Sequence, residues 1–242
     1  MNAFPIVSAV ALGMISSFAR GQVVRTVDRF QSDGKTIRVE TFGARDDATL
    51  PSIIVLHGAT GVDFANRFIA TLAQSIAEHG FVVYLLHYFD RTGETYADDD
   101  VIKRSAGEWL KTVDDAVSFV REQRPGVKIG LFGYSLGGYL AAAEAVKNPN
   151  VAAAVVLAGG LDSDSARDAR RAPPVLILQG SADLRVPVTE AHNLEAVLKR
   201  LGGAPELHIY PDEGHIMKAL TYADVVSRSA DFFAAHLSSS KR

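Results

Sequence analysis

A serine between glycines, then a carboxylate, then an imidazole further along the chain is enough equipment for nucleophilic acyl transfer. Ser135 stands in Gly133-Tyr134-Ser135-Leu136-Gly137, directly after a short apolar run and directly before an alanine-rich stretch. That order reads as strand, sharp turn and helix, with the hydroxyl at the tip of the turn. Glycines on both sides let the following helix pack close to the preceding strand. A serine hydroxyl is a poor nucleophile at neutral pH and needs a base, which in turn needs a carboxylate to fix its tautomer. Of seven histidines, His215 is the one that follows the last expected strand in a glycine-preceded loop, Pro211-Asp212-Glu213-Gly214-His215. For the acid, Asp183 follows a strand in Gln179-Gly180-Ser181-Ala182-Asp183. Asp162 is its rival, but Ser163, Asp164 and Ser165 beside it suit a solvated loop or helix cap. Asp212 is too near His215 in sequence to approach it from the far side. The order Ser135, Asp183, His215 differs from that of either common serine-protease fold. An oxyanion needs two donors, expected from the backbone N–H of Leu136 and of Ala59 in His57-Gly58-Ala59-Thr60-Gly61.

These residues must be carried on strands whose ends gather at one edge. Residues 23–30 and 36–42 read as a hairpin around Ser32-Asp33-Gly34. Residues 52–56, 81–86, 151–158 and 175–179, with the strand ending at Tyr134, are the apolar runs of parallel strands buried on both faces. Residue 206–210 is a further strand. Helical spacing marks 64–79, 100–124, 188–201 and about 217–237, besides the helix after Ser135. The pattern predicts an α/β fold, a mostly parallel sheet with helices on both faces, within one domain spanning 21–242. Residues 159–173 are too few for a cap domain, so an open pocket is expected.

Composition narrows the function. Of 242 residues, 48% are hydrophobic, and the net charge of −3 comes with no basic cluster, which leaves no electrostatic case for nucleic acid. The chain has no cysteine, which excludes disulfides, thiolate catalysis and cysteine–zinc sites. No metal-ligand spacing stands out, so neither metal nor cofactor is expected. Residues 1–20 read either as an export signal, favoured slightly, or as an N-terminal helix; Ser17-Phe18-Ala19 resembles a cleavage site, but no Lys or Arg precedes the apolar run. A cleaved signal would make the protein secreted or periplasmic, and otherwise it would be cytoplasmic. The run is too short to span a bilayer.

Leu56-His57-Gly58, Gly133-Tyr134-Ser135-Leu136-Gly137, Gln179-Gly180 through Pro187, and Gly214-His215 together resemble the α/β-hydrolase superfamily, and more narrowly the dienelactone hydrolase family, over roughly residues 36–236. The resemblance implies a cofactor-free hydrolase of a small ester or lactone. Tyr88-Phe89-Asp90-Arg91 is similar to the segment that carries the family's carboxylate-binding arginine, which makes Arg91 a candidate substrate residue, with Tyr134 beside the serine as another. A solvated loop arginine is an equal alternative for Arg91. Three departures stand out. Family enzymes acting on dienelactone use cysteine where this chain has Ser135. Gly58 replaces a glutamate, and Ile216-Met217-Lys218-Ala219 lacks an arginine found after the histidine. Ester chemistry survives these changes, whereas the substrate does not carry over. Competing functions are a small serine peptidase or amidase, and a non-catalytic ligand-binding member of the fold.

Overall fold

The computed structural model describes residues 24–44, 47–64 and 68–238. The expected N-terminal signal or helix at 1–20 lies outside them. The hairpin forms as expected: β1 (Arg25–Ser32) and β2 (Lys35–Phe42) pair antiparallel around a turn in which Asp33 and Gly34 both take positive φ. Then come β3 (Ser52–Leu56), a short α1 (Gly61–Phe64), α2 (Phe68–Ala77) and β4 (Val82–Leu86). A single 3₁₀ turn, Tyr88–Arg91, precedes the long α3 (Asp99–Gln123). Asp98 caps α3 by accepting from the N–H of Val101, which satisfies one of the unpaired amides at the helix start. The chain continues through β5 (Ile129–Tyr134), α4 (Leu136–Ala145), β6 (Val151–Leu157), α5 (Ser163–Asp168), β7 (Val175–Gly180), α6 (Val188–Arg200), β8 (Glu206–Tyr210) and α7 (Ala219–Leu237).

The eight strands lie in the order β1-β2-β4-β3-β5-β6-β7-β8, and every pair from β4 to β8 is parallel. Successive residues of the inner strands point to opposite faces. Ile54 and Leu56 enter one core, with Trp109, Val113 and Val117 of α3. Ile53 and Val55 enter the other, with Leu72 and Ile76 of α2 and Phe233 of α7. Both faces are therefore dry, which accounts for the unbroken apolar runs. The segment between β6 and β7 holds only the six-residue α5, and no cap domain is present among the described residues. The parallel strands deliver their C-terminal ends to one edge of the sheet, where the loops after β3, β5, β7 and β8 meet.

Candidate active site

Ser135 sits between β5 and α4 with φ 55° and ψ −120°, a left-handed backbone that side chains rarely adopt. Its flanking glycines are a steric necessity. A Cβ on Gly133 would lie 2.0 Å from the carbonyl oxygen of Gly137, and one on Gly137 would lie 2.3 Å from that of Leu56. The turn is fixed further by the Ser135 N–H, which donates to Leu157 on β6 at 2.9 Å. Such strain persists only where the surroundings over-determine it.

The loops after β7 and β8 are bound to each other. Ala182 N–H donates to the Glu213 carbonyl at 2.9 Å, and Asp212 N–H donates to Ser181 Oγ at 2.9 Å. Glu213 in turn accepts from Lys218 N–H and Thr221 Oγ1, which moors the histidine loop to the start of α7. This brings His215 Nε2 to 2.9 Å from Ser135 Oγ and His215 Nδ1 to 2.8 Å from Asp183 Oδ2. The Asp183 side chain is fully buried. Its Oδ1 accepts from the N–H groups of Arg185 (2.9 Å) and Val186 (2.8 Å), and its Oδ2 also accepts from Gln179 Nε2 at 3.1 Å. These donors occupy acceptor sites that would be costly to leave unpaired in a buried carboxyl group.

Asp162 is placed differently. It caps α5 by accepting from Asp164 N–H and Ser165 N–H. Burial pushes its carboxyl up, but the hydrogen bonds from Ser165 and Asp164 outweigh that and hold it below the usual range. Of the two aspartates weighed from sequence, only Asp183 meets the histidine.

The backbone at Leu136 opens α4, so its N–H has no carbonyl one turn back to bond within the helix. Leu136, Ala59 and Ser135 all line a cleft of about 580 Å³. The Ala59 loop lies tight against the serine: a Cβ on Gly58 would be 3.3 Å from both the Ser135 Cβ and the Tyr134 ring. A side chain at that position would have to displace Tyr134.

Two expected substrate residues turn elsewhere. Arg91 is buried beneath the β1–β2 hairpin, where Nη1 donates to Ser32 O at 2.6 Å, Nη2 to Asp33 Oδ2 at 2.8 Å and Nε to Glu108 Oε2 at 3.2 Å. The 3₁₀ turn directs it away from the cleft, so the substrate role expected of it does not fit. Tyr134 braces the histidine loop. Its hydroxyl donates to His215 O at 3.0 Å, and its ring stacks on the imidazole at 5.4 Å between centroids.

Sequence reasoning missed the support behind the Ala59 loop. His57 is buried, stacked on Tyr88 at 4.0 Å, with Nδ1 2.8 Å from Gly58 O. Burial pushes its pKa down to about 3, so the ring is neutral. The Tyr88 hydroxyl donates to His57 O at 2.8 Å. The aromatic run Tyr88-Phe89 was the available signal. Another cluster, Trp109 on Phe89 at 4.6 Å, fills in behind it.

Comparison with known proteins agrees with this architecture. Residues 39–231 match the sequence profile of the dienelactone hydrolase family. A relative in Escherichia coli O157:H7, provisionally named a carboxymethylenebutenolidase, is 24% identical over 193 residues, covering 72% of this chain and 70% of its own. The fold superimposes on the crystal structure of dienelactone hydrolase from Anabaena variabilis ATCC 29413 with a TM-score of 0.72 at 18% identity, covering 90% of this chain and all of that one. It also superimposes on an acylaminoacyl peptidase from Pyrococcus horikoshii with a TM-score of 0.71 at 15% identity, spanning 92% of this chain and 43% of the peptidase. At these identities the structural likenesses speak for the fold, and the profile match speaks for the family. The chain is a hydrolase that belongs to the dienelactone hydrolase family of the α/β-hydrolase superfamily.

Proposed function

We propose that this protein is a serine hydrolase of carboxylic esters or lactones that works through an acyl-enzyme on Ser135. The observation that carries the reading is the continuous chain Asp183 Oδ2, His215 Nδ1, His215 Nε2, Ser135 Oγ, with gaps of 2.8 and 2.9 Å. The Ser135 hydroxyl gives its proton to His215 Nε2 as Oγ attacks the acyl carbon, and Asp183 stabilises the imidazolium that forms. The carbonyl oxygen takes up the negative charge and is met by the N–H groups of Leu136 and Ala59, each worth about 10²–10³ in rate. The tetrahedral centre collapses, the C–O bond to the alcohol breaks, and His215 returns its proton to the departing oxygen. Water then gives a proton to His215 and adds to the acyl carbon. The Oγ–acyl bond breaks, Oγ regains the proton, and the acid leaves.

Replacing Ser135 with Ala should lower ester turnover by roughly three or more orders of magnitude with the fold intact. Retention of more than a tenth of wild-type turnover in a contamination-free assay would overturn the reading. An amidase would use the same steps, and comparing an ester with its matching anilide separates the two. A ligand-binding protein would turn over neither.

A further inference from the structure

The cleft beside Ser135 runs away from the imidazole, into the seam between α3 and α4. Its walls are Ile102 and Leu110 of α3 facing Leu140 and Ala143 of α4, with the exposed Gly107 of α3 at its rim. Gly107 lies inside a 25-residue helix, where glycine costs about 1 kcal/mol relative to alanine. Neither backbone nor packing asks for it. It has no left-handed φ, and a Cβ built there meets nothing within 4 Å. What its missing side chain leaves is room in the cleft.

The polar groups at the rim repel a carboxylate. Asp99, Asp162 and Asp164 stand there, and the one cation among the described residues that line the cleft, Arg185, is already paired with Asp99 at 2.6 Å. Asp162 is held ionised by its capping bonds. Arg91, the residue that would favour an anionic substrate, is committed to Ser32, Asp33 and Glu108. Pockets of this size recognise ligands by apolar walls with a few polar groups for orientation.

The position of the imidazole decides which half of the ester enters the seam. His215 must hand its proton to the departing alcohol, and it does not line this cleft, whereas Leu136 and Ala59 on the carbonyl side do. The alcohol therefore leaves toward His215, and the acyl chain lies between the helices. On the acyl-enzyme reading, we propose that the substrate is an ester of an uncharged aliphatic acid, its chain lodged between α3 and α4 and measured at Gly107.

The test uses p-nitrophenyl acetate, butanoate and hexanoate, with the p-nitrophenyl monoester of glutaric acid as a carboxylate-tipped chain of similar length. In the wild type, kcat/KM should rise about three- to fourfold for each added methylene, the fold-change corresponding to the burial of one methylene. The glutarate ester should fall well below the hexanoate. Gly107→Leu should lower the hexanoate-to-acetate ratio by about tenfold or more, and its Tm should rise because the helix gains a better former. Gly107→Ala, a smaller intrusion, should shift the ratio in the same direction. A flat chain-length profile, preference for the glutarate ester, or a ratio unchanged in a folded Gly107→Leu would overturn the proposal while leaving the acyl-enzyme reading intact. Failure of the folded wild type to hydrolyse any of the esters would remove the acyl-enzyme reading, and this proposal with it.

Discussion

The side chain of Tyr134, the residue before the candidate nucleophile, grips His215 twice: its ring stacks on the imidazole and its hydroxyl donates to the His215 carbonyl at 3.0 Å. The strand that presents the serine therefore also positions the base. Tyr134→Phe keeps the stack and loses the hydrogen bond, worth about 0.5–1.5 kcal/mol. The expected outcome is a kcat about three- to tenfold lower with KM nearly unchanged, and a larger fall for Tyr134→Ala. Steady-state kinetics check this, and a kcat for Tyr134→Phe equal to wild type would leave the hydroxyl without a positioning role.

The two aspartates should separate cleanly. Asp183→Asn alters the partner of His215 Nδ1 and should lower kcat by about 10³–10⁴. Asp162→Ala removes a helix cap and should act mainly on stability, by about 1 kcal/mol. Kinetics and urea melts on both variants decide it, and a greater loss of turnover in Asp162→Ala would place the acid on the loop after β6.

Arg91 is expected to be structural. Arg91→Ala removes three hydrogen bonds beneath the β1–β2 hairpin and should cost on the order of 1–3 kcal/mol. Its effect on kcat/KM should be the same for an anionic ester and for its neutral methyl-capped analogue. A selective loss on the anionic ester would restore the substrate role expected from the sequence.

The contrast between these residues explains what the sequence made legible. Ser135, Asp183 and His215 each sit in a short segment whose strand, turn and glycines lie side by side in the chain, so local reading picks them out as candidates, and the fold brings the three side chains within hydrogen-bond reach. The strands were equally visible, because burial on both faces leaves unbroken apolar runs such as Ser52–Leu56. Arg91 was not, because its direction is set by Ser32, Asp33 and Glu108, which lie far along the chain from the 3₁₀ turn that carries it. An open pocket was expected, but its walls were hidden for another reason. Ile102, Leu110 and Leu140 have the same helical spacing whether they face a core or a groove, and only the packing of α3 against α4 tells the two apart.

Glu144 supplies a pH dependence of stability. It is buried in α4 and accepts from Asn148 Nδ2 at 2.6 Å, and burial, with Asp114 adding to it, pushes its pKa up to about 7 from an ordinary 4.5. Between those values the folded protein holds a proton that the unfolded chain has released. Stability from this group is therefore full below about 4.5 and is lost as pH rises through about 7. Urea melts should show a decline on the order of 1–3 kcal/mol across that window, and Glu144→Gln should flatten it. A wild-type profile no steeper than that of Glu144→Gln would mean that the carboxyl ionises freely in the fold.

The claim that an activated Ser135 attacks an electrophilic centre is tested most directly by covalent labelling. Incubation with diethyl p-nitrophenyl phosphate, followed by intact-mass measurement and peptide mapping, should give one diethylphosphoryl adduct, carried on Ser135. The adduct should be absent from Ser135→Ala and should form orders of magnitude more slowly in His215→Ala. An adduct on another residue, or equal labelling of Ser135→Ala and wild type, would contradict the account.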